Sequence, residues 1–164
     1  MELEEKLRVL AVDHHKAVLE VYELVCKSID EKFGILHFVG AVDCRSGYKA
    51  IKDHDHNPFN IAIVDINLKR CDETMIQSGF DLALTIRSCM SGCKIIFITM
   101  NKEQEVCKKI LREVQPEGFI HKIDCNFEDL VQGFTQILNG ETFYSKSILQ
   151  LNIAQTEDSG YTPS

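Results

Sequence analysis

Several features that mark other protein classes are missing from this sequence. It has no tryptophan, only three prolines, and no apolar run near the roughly 20 residues that span a bilayer. The acidic start, MELEEKLRVLAVD, lacks the basic and apolar regions of a signal peptide. Basic residues are in the minority, with 18 Lys and Arg against 25 Asp and Glu and a net charge of −7, which argues against a nucleic-acid-binding surface. Together these absences predict a cytoplasmic chain that makes no membrane contact.

The sequence also lacks a clear metal-binding motif. Its seven cysteines include no CxxC pair, and their odd number and scatter through apolar segments indicate reduced thiols rather than disulfides or zinc ligands. In KDHDHNP, His54 and His56 could hold a metal ion. A polar loop closed by Pro58 is the favoured interpretation of that segment.

What is present is a regular alternation of short apolar runs and helix-period segments. At 164 residues and 45% hydrophobic content, the chain can form one globular domain with a sizeable core. Alternation of this kind predicts a parallel sheet with helices on both faces. The predicted strands are 7–12, 35–42, 60–65, 94–99 and 118–122, and the predicted helices are 16–33, 46–53, 79–90, 103–114 and 126–138.

The last long helical pattern ends at residue 138, which places the end of the domain near residue 140. We expect residues 1–140 to form the domain. Residues 141–164 then contain a short helix at 144–151, followed by a flexible tail rich in polar residues and turn formers.

Polar residues collect where the predicted strands end. Asp13 follows the first strand, Asp65 follows the third with Asn67 two residues on, Thr99 ends the fourth and Lys122 ends the fifth. Each residue alone has an ordinary explanation as a turn former, helix cap or solvent-facing side chain. Four of them at one sheet edge favour a functional site, because two carboxylates can hold a hard cation while a hydroxyl and an ammonium hold phosphoryl oxygens.

The segments VLAVDHH, IAIVDINL, IIFITM and GFIHK resemble those of bacterial two-component response-regulator receiver domains. The resemblance covers about residues 6 to 140. It implies the flavodoxin-like (βα)5 fold, a doubly wound parallel five-stranded sheet in the order 2-1-3-4-5. The segment NGETFYSKSIL further resembles regulators that continue into a helix-turn-helix output domain.

The resemblance also implies roles for individual residues. Asp65 would accept a phosphoryl group from a sensor histidine kinase, so that the chain is a phosphoacceptor rather than an enzyme acting on separate substrates. Mg²⁺ would be held by Asp13, Asp65 and the backbone carbonyl of Asn67. Thr99 and Lys122 would bind the phosphoryl group.

A conformational switch is implied as well. Thr99 would move towards the phosphoryl group, which leaves room for Phe119 to rotate inward. The change would alter the face formed by helix 4, strand 5 and helix 5, through which the protein would form a homodimer. The expected output is transcription, with DNA contacted only by an output domain that this chain lacks.

Two of the departures from the family pattern concern the supply of carboxylates to the site. His14 occupies the position of a second acid, and imidazole suits Mg²⁺ poorly, so we expect weakened Mg²⁺ binding. The loop after Asp65 is long, since its glycine, Gly79, comes 14 residues later. Asp72 and Glu73 in that loop could lend a carboxylate, although a solvated loop is favoured.

Two other functions are alternatives to a phosphoacceptor. A degenerate receiver that serves only as a protein-interaction module is favoured by His14 and opposed by the intact Asp65, Thr99 and Lys122. A flavodoxin-like enzyme lacks support, because no glycine-rich phosphate loop follows the first strand.

Overall fold

Strands and helices alternate through the computed structural model, which describes residues 6–29, 34–69, 76–100 and 103–151. The predicted alternation of elements is confirmed. In chain order the elements are β1 (Lys6–Val12), α1 (Lys16–Lys27), β2 (Ile35–Ala41), α2 (Cys44–Asp53), β3 (Ile61–Val64), α3 (Gly79–Cys89), β4 (Lys94–Thr99), α4 (Gln104–Glu113), β5 (Gly118–His121), α5 (Phe127–Leu138) and β6 (Phe143–Tyr144).

All strands belong to one parallel sheet in the order β2-β1-β3-β4-β5-β6. The flavodoxin-like fold and the order of its first five strands are therefore as predicted. The sheet is one strand wider than the predicted five. Phe143 pairs with Gly118, and Tyr144 pairs with Phe119. A two-residue strand is too short to produce an alternating pattern, so the sequence carries no signal for it.

The sheet separates two hydrophobic cores, because successive side chains of a strand point to opposite faces. Leu10 and Val12 pack into the core beneath α2, α3 and α4. Val9 and Ala11 pack into the core beneath α1 and α5. All four residues of β3 are buried, as expected for a central strand covered by helices on both sides.

Side-chain caps fix where three of the helices begin. Asp43 accepts a hydrogen bond from the Ser46 backbone at the start of α2, and Ser78 caps α3 in the same way. Asn126 and Asp129 form a reciprocal capping box at the start of α5. These caps satisfy backbone N–H groups that have no partner inside the helix.

The first helix is shorter than the predicted 16–33. α1 ends at Lys27, and the backbone N–H of Ser28 still donates to the carbonyl of Leu24. The Ser28 hydroxyl donates to the same carbonyl over 3.0 Å, a local bond that competes with continuation of the helix. Residues 30–33 lie outside the described residues.

A short helix after β6 is anchored to the loop that follows β5. It spans residues 146–151, close to the predicted 144–151, and Ile148 is buried in the core. The Asp124 carboxylate accepts hydrogen bonds from the Ser145 hydroxyl (2.6 Å), the Ser147 backbone (2.9 Å) and the Ser147 hydroxyl (2.8 Å). Burial alone would raise the pKa of Asp124, but these hydrogen bonds outweigh it and hold the pKa below its ordinary value.

We predict that Asp124→Ala destabilises the protein at neutral pH. Loss of these hydrogen bonds to a partly exposed carboxylate should cost about 1 kcal/mol, or roughly 2–4 °C in Tm. A carboxyl with a lowered folded pKa stabilises above its ordinary pKa of about 3.9 and loses that effect as the pH falls through the folded value. The difference in Tm between the variant and wild type, measured by thermal unfolding, should therefore be largest near pH 7 and decrease in strong acid. Asp55→Ala, at an exposed turn residue, is the control and should leave Tm unchanged.

Candidate functional site

Two buried carboxylates lie side by side at the carboxyl edge of the sheet. Val12 of β1 is in register with Val64 of β3, so the residues that follow them, Asp13 and Asp65, are neighbours. Asp13 is fully buried, and Asp65 is 4% exposed. The backbone N–H of Asp65 donates to the Val12 carbonyl over 3.0 Å, which continues the strand pairing up to the acid. Neighbouring carboxylates repel each other when both are ionised, and a nearby cation reduces that repulsion.

Lys122 supplies one positive charge to this pair. Its Nζ lies 3.0 Å from Oδ2 of Asp13 and 3.9 Å from Oδ2 of Asp65. The backbone N–H of Lys122 donates to the carbonyl of Thr99 over 2.9 Å, so the lysine leaves the sheet directly beside the end of β4. The structure thus brings Asp13, Asp65 and Lys122 together as the sequence predicted.

Two histidines border the carboxylates on the loop after β1. His14 Nδ1 lies 3.6 Å from Oδ2 of Asp65 and 3.9 Å from Oδ1 of Asp13. His15 Nδ1 lies 3.4 Å from Oδ1 of Asp13, and the two imidazole rings are 3.8 Å apart between their centroids. Among the described residues, Asp13, His14 and His15 form the one group of three potential metal ligands whose donor atoms lie within 4.8 Å of one another.

Asp65 is less acidic than an ordinary aspartate. Burial is the largest cause of its raised pKa, and the charge of Asp13 adds to it. Lys122, the backbone N–H of Asn67 and His14 oppose the shift. The Asn67 N–H donates to Oδ1 of Asp65 over 3.2 Å. An ionised, nucleophilic Asp65 therefore depends on the positive charge next to it.

The long loop after β3 returns to the backbone of Asp65. The N–H of Gly79 donates to the Ile66 carbonyl over 3.2 Å. A methyl group on Gly79 would overlap the carbonyl oxygen of Asp65 and press against Val64. Only glycine allows this close approach, which accounts for the glycine at the start of α3. Asp72 and Glu73 lie outside the described residues, so their suggested contribution stays a prediction.

The residues assigned to the switch occupy the neighbouring strands. Thr99 ends β4 and is fully buried. Phe119 on β5 is also fully buried, and its ring packs against Phe97 with 5.6 Å between centroids. The Phe119 ring therefore already occupies the inward position.

Comparison with known proteins agrees with this geometry. A family model described as "Response regulator receiver domain" matches residues 9–135. The chain belongs to the response regulator receiver domain family. Comparison with curated protein sequences gives no significant match.

Solved receiver structures share the fold. A LuxR-family two-component response regulator from Aurantimonas sp. SI85-9A1 is 22% identical with a TM-score of 0.73, over 93% of this chain and 99% of that one. The isolated receiver domain of RcsB from Salmonella enterica serovar Typhimurium, with the phosphomimetic BeF3⁻, is 21% identical with a TM-score of 0.72, over 90% and 99%. A CheY-like receiver from Methanospirillum hungatei JF-1 is 23% identical with a TM-score of 0.66, over 83% and 96%.

Two residues at the edge of this receiver domain's site were not assigned to it from the sequence. His15 follows the expected ligand positions, and Tyr22 belongs to the apolar stripe of α1. The Tyr22 side chain is 3% exposed. Burial raises the pKa of Tyr22, and the charges of Asp13 and Asp65 together with a hydrogen bond to Asp13 raise it further. The hydroxyl therefore stays protonated and interacts with the Asp13 carboxylate as a donor.

The histidines of KDHDHNP lie away from this site. His54 Nε2 is 3.0 Å from Nε2 of His37 on β2, and His54 Nδ1 is 2.8 Å from the Ala50 carbonyl. His56 is exposed in the turn that follows α2. The six cysteines among the described residues are free thiols. Within the described part of the receiver domain, no helix is both long and apolar enough to cross a bilayer.

We predict that Gly79→Ala distorts the carboxylate site. The added methyl must push the Asp65 backbone away, and overpacking of this kind costs about 1–3 kcal/mol, or roughly 2–12 °C in Tm. Gly92→Ala is the matched control, because a methyl there meets no atom within 4 Å. Thermal unfolding of both variants tests the prediction, and an equal Tm for the two would contradict it.

Proposed function

We propose that Asp65 accepts a phosphoryl group from a sensor histidine kinase and that the added phosphate controls an output, most simply transcription. The observation that carries the proposal is the buried pair of Asp65 and Asp13, bridged by Lys122 at the carboxyl edge of the sheet. Membership of the receiver family supports the same role. The chain acts as a phosphoacceptor, and it catalyses no reaction besides its own phosphorylation and dephosphorylation.

The chemistry requires an ionised Asp65. One of its carboxylate oxygens attacks phosphorus, the phosphorus–nitrogen bond of the donor phosphohistidine breaks, and the electron pair returns to the imidazole, which takes up a proton. Lys122, with Nζ 3.9 Å from Asp65, is placed to neutralise charge on the phosphoryl oxygens. We propose that the Thr99 hydroxyl also binds the phosphoryl group, as a hydrogen-bond donor.

The donor set fits Mg²⁺ only in part. The Asp13 and Asp65 carboxylates and the backbone carbonyl of Asn67 are the hard oxygen ligands that Mg²⁺ prefers, whereas His14 offers a nitrogen. When bound there, Mg²⁺ would neutralise phosphoryl oxygens during transfer. We therefore propose Mg²⁺ as the cofactor, held more weakly than by a site with a second acid at position 14.

We propose that a conformational change at the site is transmitted through β5 to the short helix at residues 146–151. The Ser145 N–H donates to the Phe119 carbonyl over 3.0 Å, and the His121 N–H donates to the Ser145 hydroxyl over 2.9 Å. A shift of β5 on phosphorylation would thus reach residues 146–151 as well as the face formed by α4, β5 and α5. Because Phe119 is already inward, the switch would act by fixing that position rather than by creating it. The same face is the proposed homodimer surface.

The proposal that the output is transcription draws on the similarity to solved response regulators. The structural neighbours include a LuxR-family regulator and RcsB, which has been solved in complex with DNA. They support a transcriptional output in which a separate output domain contacts DNA. The net charge of −7 makes DNA contact by the receiver surface itself unfavourable.

A degenerate receiver is the second candidate function, and His14 is the observation that favours it. Its Nδ1 lies 3.6 Å from Oδ2 of Asp65, where a cation ligand would otherwise be. In this alternative the α4–β5–α5 face binds its partner without phosphorylation.

We predict that the full chain gains one phosphoryl group when incubated with acetyl phosphate and Mg²⁺. Intact mass spectrometry should show a single addition on wild type, none on Asp65→Asn, and the wild-type addition on the exposed control Asp55→Asn. Equal phosphoryl uptake by wild type and Asp65→Asn would show that a residue other than Asp65 is the phosphoacceptor. No uptake by a folded wild type would favour the degenerate receiver.

We also predict that His14→Asp strengthens Mg²⁺ binding. A third carboxylate replaces a nitrogen beside Asp13 and Asp65, which should be worth about 1–2 kcal/mol, or roughly tenfold in Kd. Isothermal titration calorimetry measures the difference, and His56→Asp, which makes the same charge change in an exposed turn, is the control. If both variants bind Mg²⁺ like wild type, His14 lies outside the Mg²⁺ site.

A further inference from the structure

We propose that Asp13, His14 and His15 form a binding site for a borderline divalent ion such as Zn²⁺, and that the site takes this ion in preference to Mg²⁺. The inference rests on the proposed function, because it concerns the same edge of the sheet and shares Asp13 with the Mg²⁺ site. It adds His15 as a ligand and identifies the class of ion that the site selects.

The spacing of three donors suits a four-coordinate ion whose fourth position is open to solvent. Asp13 Oδ1 is the common point, 3.4 Å from His15 Nδ1 and 3.9 Å from His14 Nδ1. Asp65 Oδ2 is 3.6 Å from His14 Nδ1 but does not belong to the group of three donors that all lie within 4.8 Å of one another. With zinc–ligand bonds of about 2.0–2.2 Å, tetrahedral geometry separates neighbouring ligand atoms by about 3.3–3.6 Å. Small rotations of exposed side chains would close the remaining gap.

Each oxygen of Asp13 has a separate environment. Oδ2 receives the Lys122 ammonium at 3.0 Å, whereas Oδ1 faces the two imidazoles. The backbone N–H of His15 donates to Oδ1 over 3.0 Å and so fixes the orientation of the carboxylate. Such outer contacts hold a first ligand in place before an ion arrives.

The three ligands differ in exposure, with the carboxylate at the bottom of the site and the imidazoles at its surface. Asp13 is fully buried, while the His14 and His15 side chains are 41% and 59% exposed. The imidazoles can therefore reach an ion from solvent at little desolvation cost, and the buried carboxylate attracts it. The buried Tyr22 hydroxyl interacts with Asp13 and so helps to orient this carboxylate.

The donor types decide the preferred ion. Mg²⁺ demands oxygen ligands and near-octahedral geometry, and it gives up water reluctantly. Imidazole nitrogen suits Zn²⁺, Co²⁺, Ni²⁺ and Cu²⁺. Two imidazoles with one or two carboxylates therefore favour these ions. An ion in this site would compete with Mg²⁺, because both use Asp13.

The test is a Co²⁺ titration of the chelator-treated full chain, followed by visible absorption. Co²⁺ stands in for Zn²⁺ because its absorption reports coordination geometry. We expect one saturable equivalent with the strong bands of tetrahedral cobalt, displaced by Zn²⁺ but not by an equal concentration of Mg²⁺. His14→Ala and His15→Ala should each weaken binding by roughly tenfold or more, since loss of even an outer-shell partner can cost that much.

Two control variants separate this site from other histidines. His37→Ala breaks the imidazole pair with His54, and His56→Ala removes an exposed imidazole; both should bind Co²⁺ like wild type. The Tm of each variant checks that it is folded. Loss of binding in His37→Ala but not in His15→Ala would overturn the proposal. So would thiolate-to-cobalt absorption in the near ultraviolet, or displacement by an equal concentration of Mg²⁺.

Phosphoryl uptake and cobalt binding are independent readouts of wild type. Tetrahedral cobalt without uptake from acetyl phosphate would leave this inference standing and reject the phosphoacceptor. Uptake without saturable cobalt binding would reject the inference and keep the phosphoacceptor.

Discussion

The site depends on the register between two central strands. Val12 pairs with Val64, so the parallel sheet delivers Asp13 and Asp65 to the same edge as buried neighbours. Burial and the charge of Asp13 raise the pKa of Asp65, and Lys122 opposes this with its Nζ 3.0 Å from Asp13 and 3.9 Å from Asp65. Neutralising that charge is the common basis of the proposed cation binding, phosphoryl acceptance and switching.

The surrounding elements hold this charge arrangement in place. Gly79 lets the start of α3 approach the Asp65 backbone, and the Asn67 N–H orients one carboxylate oxygen. Lys122 is tied to the end of β4 through its own backbone. The site is therefore connected to β5, and β5 is connected through Ser145 to the short helix at residues 146–151. A charge change at this edge of the sheet is thus linked by few contacts to the helix at residues 146–151.

The sequence predicted those parts of the fold that follow from hydrophobic periodicity. Strands buried on both faces are continuously apolar, so the polar residue that ends each run, such as Asp13 or Asp65, was identifiable. It did not predict β6, whose two residues are too short for a pattern, or the end of α1 at Lys27, which depends on the local bond of Ser28. The contacts of His15 and Tyr22 with the site were also missed. They depend on how the β1–α1 turn folds back over the sheet edge, and a linear pattern does not specify that.

A crystal structure with Mg²⁺ and beryllofluoride tests most directly whether Asp65 is the phosphoacceptor. We expect beryllium bonded to an Asp65 carboxylate oxygen, with fluorine atoms within hydrogen-bond distance of Lys122 Nζ and the Thr99 hydroxyl, and Phe119 still packed on Phe97. Beryllofluoride bound elsewhere, or a folded protein whose Asp65 carries no adduct at saturating concentration, would contradict it.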